Sequence, residues 1–114
     1  MEVVLTPDRY LGNNIWLITF VDTNRGELWL ELAEVHGEPD TIAHYMAKLA
    51  KDIFYEKTKK LDLWHEIKRW VKETVGFELG EEDYRWFEQL LEFFRVMFLY
   101  NPPISWRRDN VSNV

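Results

Sequence analysis

The stretch IWLITFVDTNRGELWLELAEV, residues 15–35, is the one whose reading decides the fold. Two alternating segments, IWLITFV (15–21) and ELWLELAEV (27–35), flank DTNRG and specify a β-hairpin. With Asp22 opposite Gly26 around Thr23-Asn24-Arg25, Phe20 pairs with Leu28, Ile18 with Leu30 and Trp16 with Leu32. These six apolar residues then share one face, and a slip of one residue would scatter them. Gly26 also suits the left-handed position that closes a three-residue loop. The opposite face carries Ile15, Leu17, Thr19 and Val21 against Glu27, Trp29, Glu31 and Ala33. Val3–Leu5 adds a third strand, which leaves 15–21 central and accounts for its two apolar faces. A hairpin alone is marginal in water, so helices must cover the apolar side.

Beyond Glu38 the period changes from two to about 3.6. Pro39-Asp40-Thr41 is a helix-start signal, and Ile42, Tyr45, Met46, Leu49, Ile53 and Phe54 follow at three- and four-residue steps. A first helix is therefore expected from about 40 to 59. A second, capped by Asp62, presents Leu63, Ile67, Trp70, Val71 and Thr74 inward and stops at Gly76, with Phe77 folding back. The third opens with Glu81-Glu82-Asp83 at the positive end of its dipole and stops near Tyr100, before Pro102 and Pro103. On its wheel Arg85, Glu88, Gln89, Glu92 and Arg95 form a narrow polar stripe, and the remaining girth is apolar. Such a helix is central to its fold or shared with a partner. The expected architecture is α+β: an antiparallel hairpin or three-stranded sheet followed by three helices packed mainly on one face. Residues 1–101 form the single domain and 102–114 an extended tail.

The chain has 114 residues, enough for one core, and its 46 % hydrophobic and 16 % aromatic content excludes disorder for most of it. It lacks cysteine, so disulfides, thiolate nucleophiles and sulfur-ligated metals are excluded. Its start, MEVVLTPDRYL, has no signal-peptide pattern, and Leu90–Tyr100 is too short for a membrane span. A cytoplasmic location without membrane attachment is the expectation. Net charge is −6, and it is segregated. Residues 1–47 hold eight acids and two bases, 48–72 four and eight, 73–92 seven and one, and 93–114 one and three. A pattern of this kind orients a charged partner.

Catalytic constellations are weak. His65-Glu66 is followed by IKRW, so the zinc-protease pattern HExxH is absent. Asp40 and His44 could share a metal with His36 on a helix, but His44 falls beside Lys48 and Lys51. His65 neighbours Lys68, Arg69 and Lys72, whose charge opposes metal binding. Ser105 and Ser112 lie in the tail, and the five glycines are too scattered for a phosphate loop. Glu27 and Glu31 flank Trp29 and could serve as acid and base around a stacked sugar. Glutamates on the wet face of a strand are far commoner, so no enzyme, metal or cofactor is expected.

Binding features are stronger. A basic block, Lys48, Lys51, Lys57, Lys59, Lys60, Lys68, Arg69 and Lys72, could grip phosphates. Asp52, Glu56, Asp62 and Glu66 interleave at helical spacing and can pair with it, which makes direct nucleic-acid binding the lesser alternative. The favoured expectation is an acidic, non-enzymatic protein-binding module: an inhibitor, adaptor or complex subunit. Its sharper form blocks the nucleic-acid groove of a larger, basic machine with carboxylates in place of phosphates, as an anti-restriction or anti-CRISPR inhibitor does. The residues assigned to partner binding are Glu27, Trp29, Glu31, Glu81, Glu82, Trp86, Glu88, Glu92, Phe93 and Trp106, Trp being prominent at interface hot spots. The nucleic-acid alternative rests on Lys57, Lys59, Lys60, Lys68 and Arg69. The third helix is also the expected route to a homodimer.

Overall fold

The structure, a computed structural model, describes residues 3–5, 8–36, 38–47 and 50–106. The elements are β1 (Val3–Leu5), β2 (Arg9–Gly12), β3 (Ile15–Asp22), β4 (Glu27–His36), β5 (Glu38–Ala47), α1 (Ala50–Phe54), α2 (Lys60–Val75) and α3 (Glu81–Tyr100). A single helical turn at 104–106 follows. The α+β class holds, with more strands and helical segments than expected.

The central loop has four residues, not three. Asp22, 1 % exposed, turns its carboxylate onto the loop, where Oδ1 accepts the N–H of Asn24 at 3.0 Å and of Arg25 at 3.1 Å. The Asp22 carbonyl accepts the Gly26 N–H at 2.7 Å, and Gly26 takes a left-handed φ of 68°. The ladder therefore closes as Asp22 against Glu27, and every later pair shifts by one: Phe20 with Trp29, Ile18 with Glu31, Trp16 with Ala33. The face expected outside, Leu17, Thr19 and Val21, is the buried one, paired with Leu30 and its neighbours Leu28 and Leu32. All six are at most 1 % exposed. Trp16, Ile18 and Phe20, expected in the core, lie on the other side. The side chain of a buried aspartate, satisfied by two loop N–H groups, selects this longer loop over the three-residue alternative.

A second turn escaped the sequence reading. Asn13 and Asn14 both have positive φ, 52° and 63°, and join Gly12 to Ile15 in a two-residue hairpin of the kind that matches strand twist. β1 and β2 pair in succession with the same edge of β3, so five strands make a sheet four strands wide, β1/β2–β3–β4–β5, antiparallel throughout. Near the passage from β1 to β2, the backbone of Thr19 hydrogen-bonds the Asp8 carboxylate. Burial pushes the Asp8 pKa up, and this bond offsets part of the rise.

The helix expected from 40 to 59 does not form. Glu38–Ala47 is β5, and only Ala50–Phe54 is helical, ending before Glu56 at a left-handed φ of 57°. Tertiary demand explains the difference. β4 sends Leu28, Leu30 and Leu32 to the core, and as an edge it would leave a ten-residue row of backbone groups unpaired. β5 pairs that row from Leu28↔Ala47 to His36↔Glu38. It places Ala43, Tyr45 and Ala47 beside the leucines, with Ile42 as the extra residue of a bulge.

Helices cover the inner face. α2 contributes Leu63, Trp64, Ile67 and Val71, and α3 contributes Phe87, Leu90, Leu91, Phe94 and Phe98. Lys59, not Asp62, precedes α2, and no side chain caps it. α2 stops as expected at Gly76 (φ 72°), whose N–H donates to the Lys72 carbonyl at 2.9 Å. Asp83, 4 % exposed, accepts the Gly80 N–H at 2.9 Å and pairs with Arg9, tying the start of α3 to the sheet edge. After Pro103 the chain turns back, and Trp106 is 2 % exposed among Phe54, Tyr55 and Phe98. It lies against Gly26 so closely that an added Cβ there would stand 2.5 Å from the ring. Trp106 is thus a core residue, not part of a free tail; residues 107–114 lie outside the described residues.

Candidate interaction face

The register that buries the leucines sends the larger aromatics to the other side of the sheet. Three rows cross it: Phe20–Trp29–Met46, Ile18–Glu31–His44 and Trp16–Ala33–Thr41, with Tyr10 beside Trp16. The Phe20 and Trp29 rings stack at 5.5 Å with 8° between planes, and Tyr10 and Trp16 meet at 4.9 Å. These neighbours shield one another, so Trp16, Ile18, Phe20 and Trp29 are half-buried while Met46 is 51 % exposed. The packing helices lie on the leucine side. An antiparallel sheet with one wet face ordinarily carries polar residues there. This one carries an apolar surface instead.

Its charge has one sign. Glu31 sits between Ile18 and His44, and Glu27 stands at the end of the Trp29 strand face. The Thr41 hydroxyl donates to Glu31 Oε2 at 3.3 Å. None of the described residues in the three rows is Lys or Arg. As an acid and base pair Glu27 and Glu31 are poorly spaced. Four residues of strand put them roughly 13 Å apart, where carboxylate-pair hydrolysis uses about 5–9.5 Å.

Of the residues assigned to partner binding, Glu27, Trp29 and Glu31 therefore come together. The α3 set does not join them. Glu81, Glu82, Glu88 and Glu92 are exposed in the helical layer, Trp86 is half-buried and Phe93 is 43 % exposed. Glu88 is also paired with Lys60 at 2.8 Å. Trp106 is sealed in the core. The sequence reading missed Trp16, Ile18, Phe20 and Met46, because it assigned the first three to the core and Met46 to a helix. The sequence signal for the shifted register was Asp22, an aspartate placed to accept the N–H groups of the β3–β4 loop.

The basic block divides. Lys59 and Lys60 border an open groove of about 970 Å³ between the α1–α2 connection and α3, but Glu56, Asp62, Glu88 and Glu92 line it too. Arg95 pairs with Glu56 across it. Lys68, Arg69 and Lys72 border a separate hollow of about 680 Å³ with His65, Glu73 and Glu78. There Lys72 and Glu78 lie 2.8 Å apart; that bond raises the lysine pKa and lowers that of the glutamate. Lys57 is exposed beyond both. A polyanion would meet a carboxylate at each step. On β5, burial and the hydrogen bond to Glu66 of α2 (2.6 Å) push the Tyr45 phenol up.

Among the described residues no three of His, Asp and Glu converge as a metal site, and His36 instead contacts Glu34 at 2.7 Å. No helix among them is long and apolar enough to cross a membrane. Comparison with protein-family models, curated proteins and solved structures finds no match, which leaves the open sheet face as the basis for a functional reading.

Proposed function

We propose that this chain is a non-enzymatic protein-binding module whose open sheet face receives a basic, apolar-bearing surface of a larger protein. One observation carries the reading: Trp16, Ile18, Phe20, Trp29 and Met46 form a continuous apolar surface with Glu27 and Glu31 as its charges. Large exposed apolar patches on soluble proteins mark interaction sites. Aromatic anchors at the centre supply binding energy, while the carboxylates select and steer a partner of opposite charge. In its sharper form the partner handles nucleic acid, and the glutamates compete with phosphates for its lysines and arginines. Glu81, Glu82, Glu88 and Glu92 belong to another surface and take no part in this contact. A second partner, another copy of this chain held through α3, belongs to the same reading.

The test is affinity capture from the native host, with wild type compared with Glu27→Lys/Glu31→Lys and with Trp29→Ser/Met46→Lys. A specific partner lost by both face variants, retained by Lys57→Glu/Lys59→Glu/Lys60→Glu and weakened by salt supports the proposal. Binding of duplex DNA or single-stranded RNA below about 1 μM, abolished by the lysine reversal, would overturn it in favour of direct nucleic-acid binding.

A further inference from the structure

The chain LLEFFRVMFLY, residues 90–100, is buried on one side of α3 only. Leu90, Leu91, Phe94 and Phe98 enter the core, whereas Phe93, Val96, Leu99 and Tyr100 are 43, 49, 63 and 82 % exposed. Ile104, just past the helix, adds a fifth apolar side chain at 68 %. None of the five carries charge. The outward side of the first three turns is different, being occupied by Glu81, Glu82, Arg85, Glu88, Gln89 and Glu92. The apolar surface is confined to the last two turns.

We propose that a second copy of this chain covers this patch, with the two α3 helices crossing antiparallel near Val96. Net charge opposes self-association at long range, and the uncharged patch is where two copies can meet without adding to that repulsion. Each copy has a net charge of −6, and the five patch residues meet without bringing carboxylates face to face. Orientation follows from the same distribution: a parallel crossing would align the acidic first halves of α3, and an antiparallel one sends them to opposite ends. It also opposes the two helix dipoles favourably. A two-fold contact uses the same patch on both copies, as such interfaces require.

Size is consistent. Two aromatics at about 150–250 Å² each, at the exposures above, and three aliphatics leave on the order of 500 Å² of apolar surface per copy. A standard interface buries about 800 Å² per partner. The half-buried Met97, next to Val96, extends the patch toward that value. The expected complex is a dimer that dissociates on dilution. This deepens the partner-binding reading by naming one partner, on a surface separate from the sheet face.

Sedimentation equilibrium of the full chain tests it. Wild type is expected to pass from dimer to monomer on dilution through the micromolar range, and Leu99→Glu/Tyr100→Glu to remain monomeric, with the urea midpoint of wild type diluted to monomer. Glu27→Lys/Glu31→Lys is expected to dimerise like wild type, which separates this surface from the other. The cysteine-free chain allows a geometric check under oxidising conditions. Val96→Cys is expected to cross-link to itself and Gln89→Cys not to. A wild-type monomer at every concentration up to about 0.1 mM, a dimer indifferent to the Leu99 and Tyr100 changes, or efficient Gln89→Cys self-linkage would overturn the proposal.

Discussion

The two faces of the central hairpin come from interleaved residues of the same two strands and end in opposite environments. Leu17, Thr19, Val21, Leu28, Leu30 and Leu32 are sealed under the helices. Trp16, Ile18, Phe20 and Trp29, equally apolar and larger on average, stay on a face without a helix. Hydrophobicity alone would not have sorted them. The register does: closing the ladder as Asp22 against Glu27 puts the leucines, with Ala43, Tyr45 and Ala47, on the side where Tyr45 meets Trp70 of α2 at 5.8 Å. Among the described residues no helix lies over the aromatic face.

This contrast can be broken in stages. The largest effect is expected in the inner layer, where Phe94→Ala is predicted to cost about 3–5 kcal/mol and Leu30→Ala about 2–5 kcal/mol by urea denaturation. On the open face Ile18→Ala is expected to cost no more than about 1 kcal/mol; equal losses on both faces would show that the aromatic side is covered after all.

Next comes the hinge of the register. Gly26→Ala meets two penalties, a left-handed backbone and the Trp106 ring. It is predicted to lose about 2–4 kcal/mol, and in a Trp106→Ala background the loss should shrink because the clash is gone. Additive losses would argue that the ring and the loop do not touch.

A smaller change is expected at the link between sheet edge and helices. Asp83→Asn keeps the shape but removes the charge that Arg9 faces in a nearly buried setting. About 1.5–3 kcal/mol should be lost, and Arg9→Ala should then add little to it. Smaller still is the effect of Glu27→Lys/Glu31→Lys, predicted to move stability by less than about 0.5 kcal/mol while removing partner binding. That separation of fold from binding is the sharpest form of the comparison.

The smallest effect concerns pH. The Lys72 hydrogen bond holds Glu78 below the usual glutamate range in the folded chain. Its contribution is therefore complete above that range and is lost as pH falls through the lowered folded value. Both groups are fully exposed, so Glu78→Gln should leave the urea midpoint unchanged at physiological salt, and any acid-side difference should appear only at low salt.

What could be read from the chain depended on how local the cause was. α3 was legible at both ends, because the Glu81-Glu82-Asp83 run and the Pro102-Pro103 stop act within a turn of the helix terminus. Gly76 is a local stop in the same sense. The segment 38–47 was not legible. Ile42, Tyr45 and Met46 fit helical steps, and Ala43, Tyr45 and Ala47 equally fit alternate positions of a strand. The choice lay with β4, whose backbone needed a partner on its open side. The candidate face was half legible. Trp29 with Glu27 and Glu31 stood out as an aromatic between acids, whereas Trp16, Ile18 and Phe20 could not be placed until the register was known.

By itself, the sequence determined that residues 15–35 make a hairpin, that one helix stops at Gly76 and another spans 81–100, and that the apolar content exceeds what one side of one sheet can hide. Those outcomes follow from alternation, glycine and proline chemistry and charge at helix ends, all of which act over a few residues. Only the tertiary structure decided which side of the hairpin became core and which became surface. Faces exchange with a one-residue shift, and that shift was set by Asp22 folding its carboxylate into a four-residue loop, with Trp106 arriving from 80 residues away to pack against Gly26.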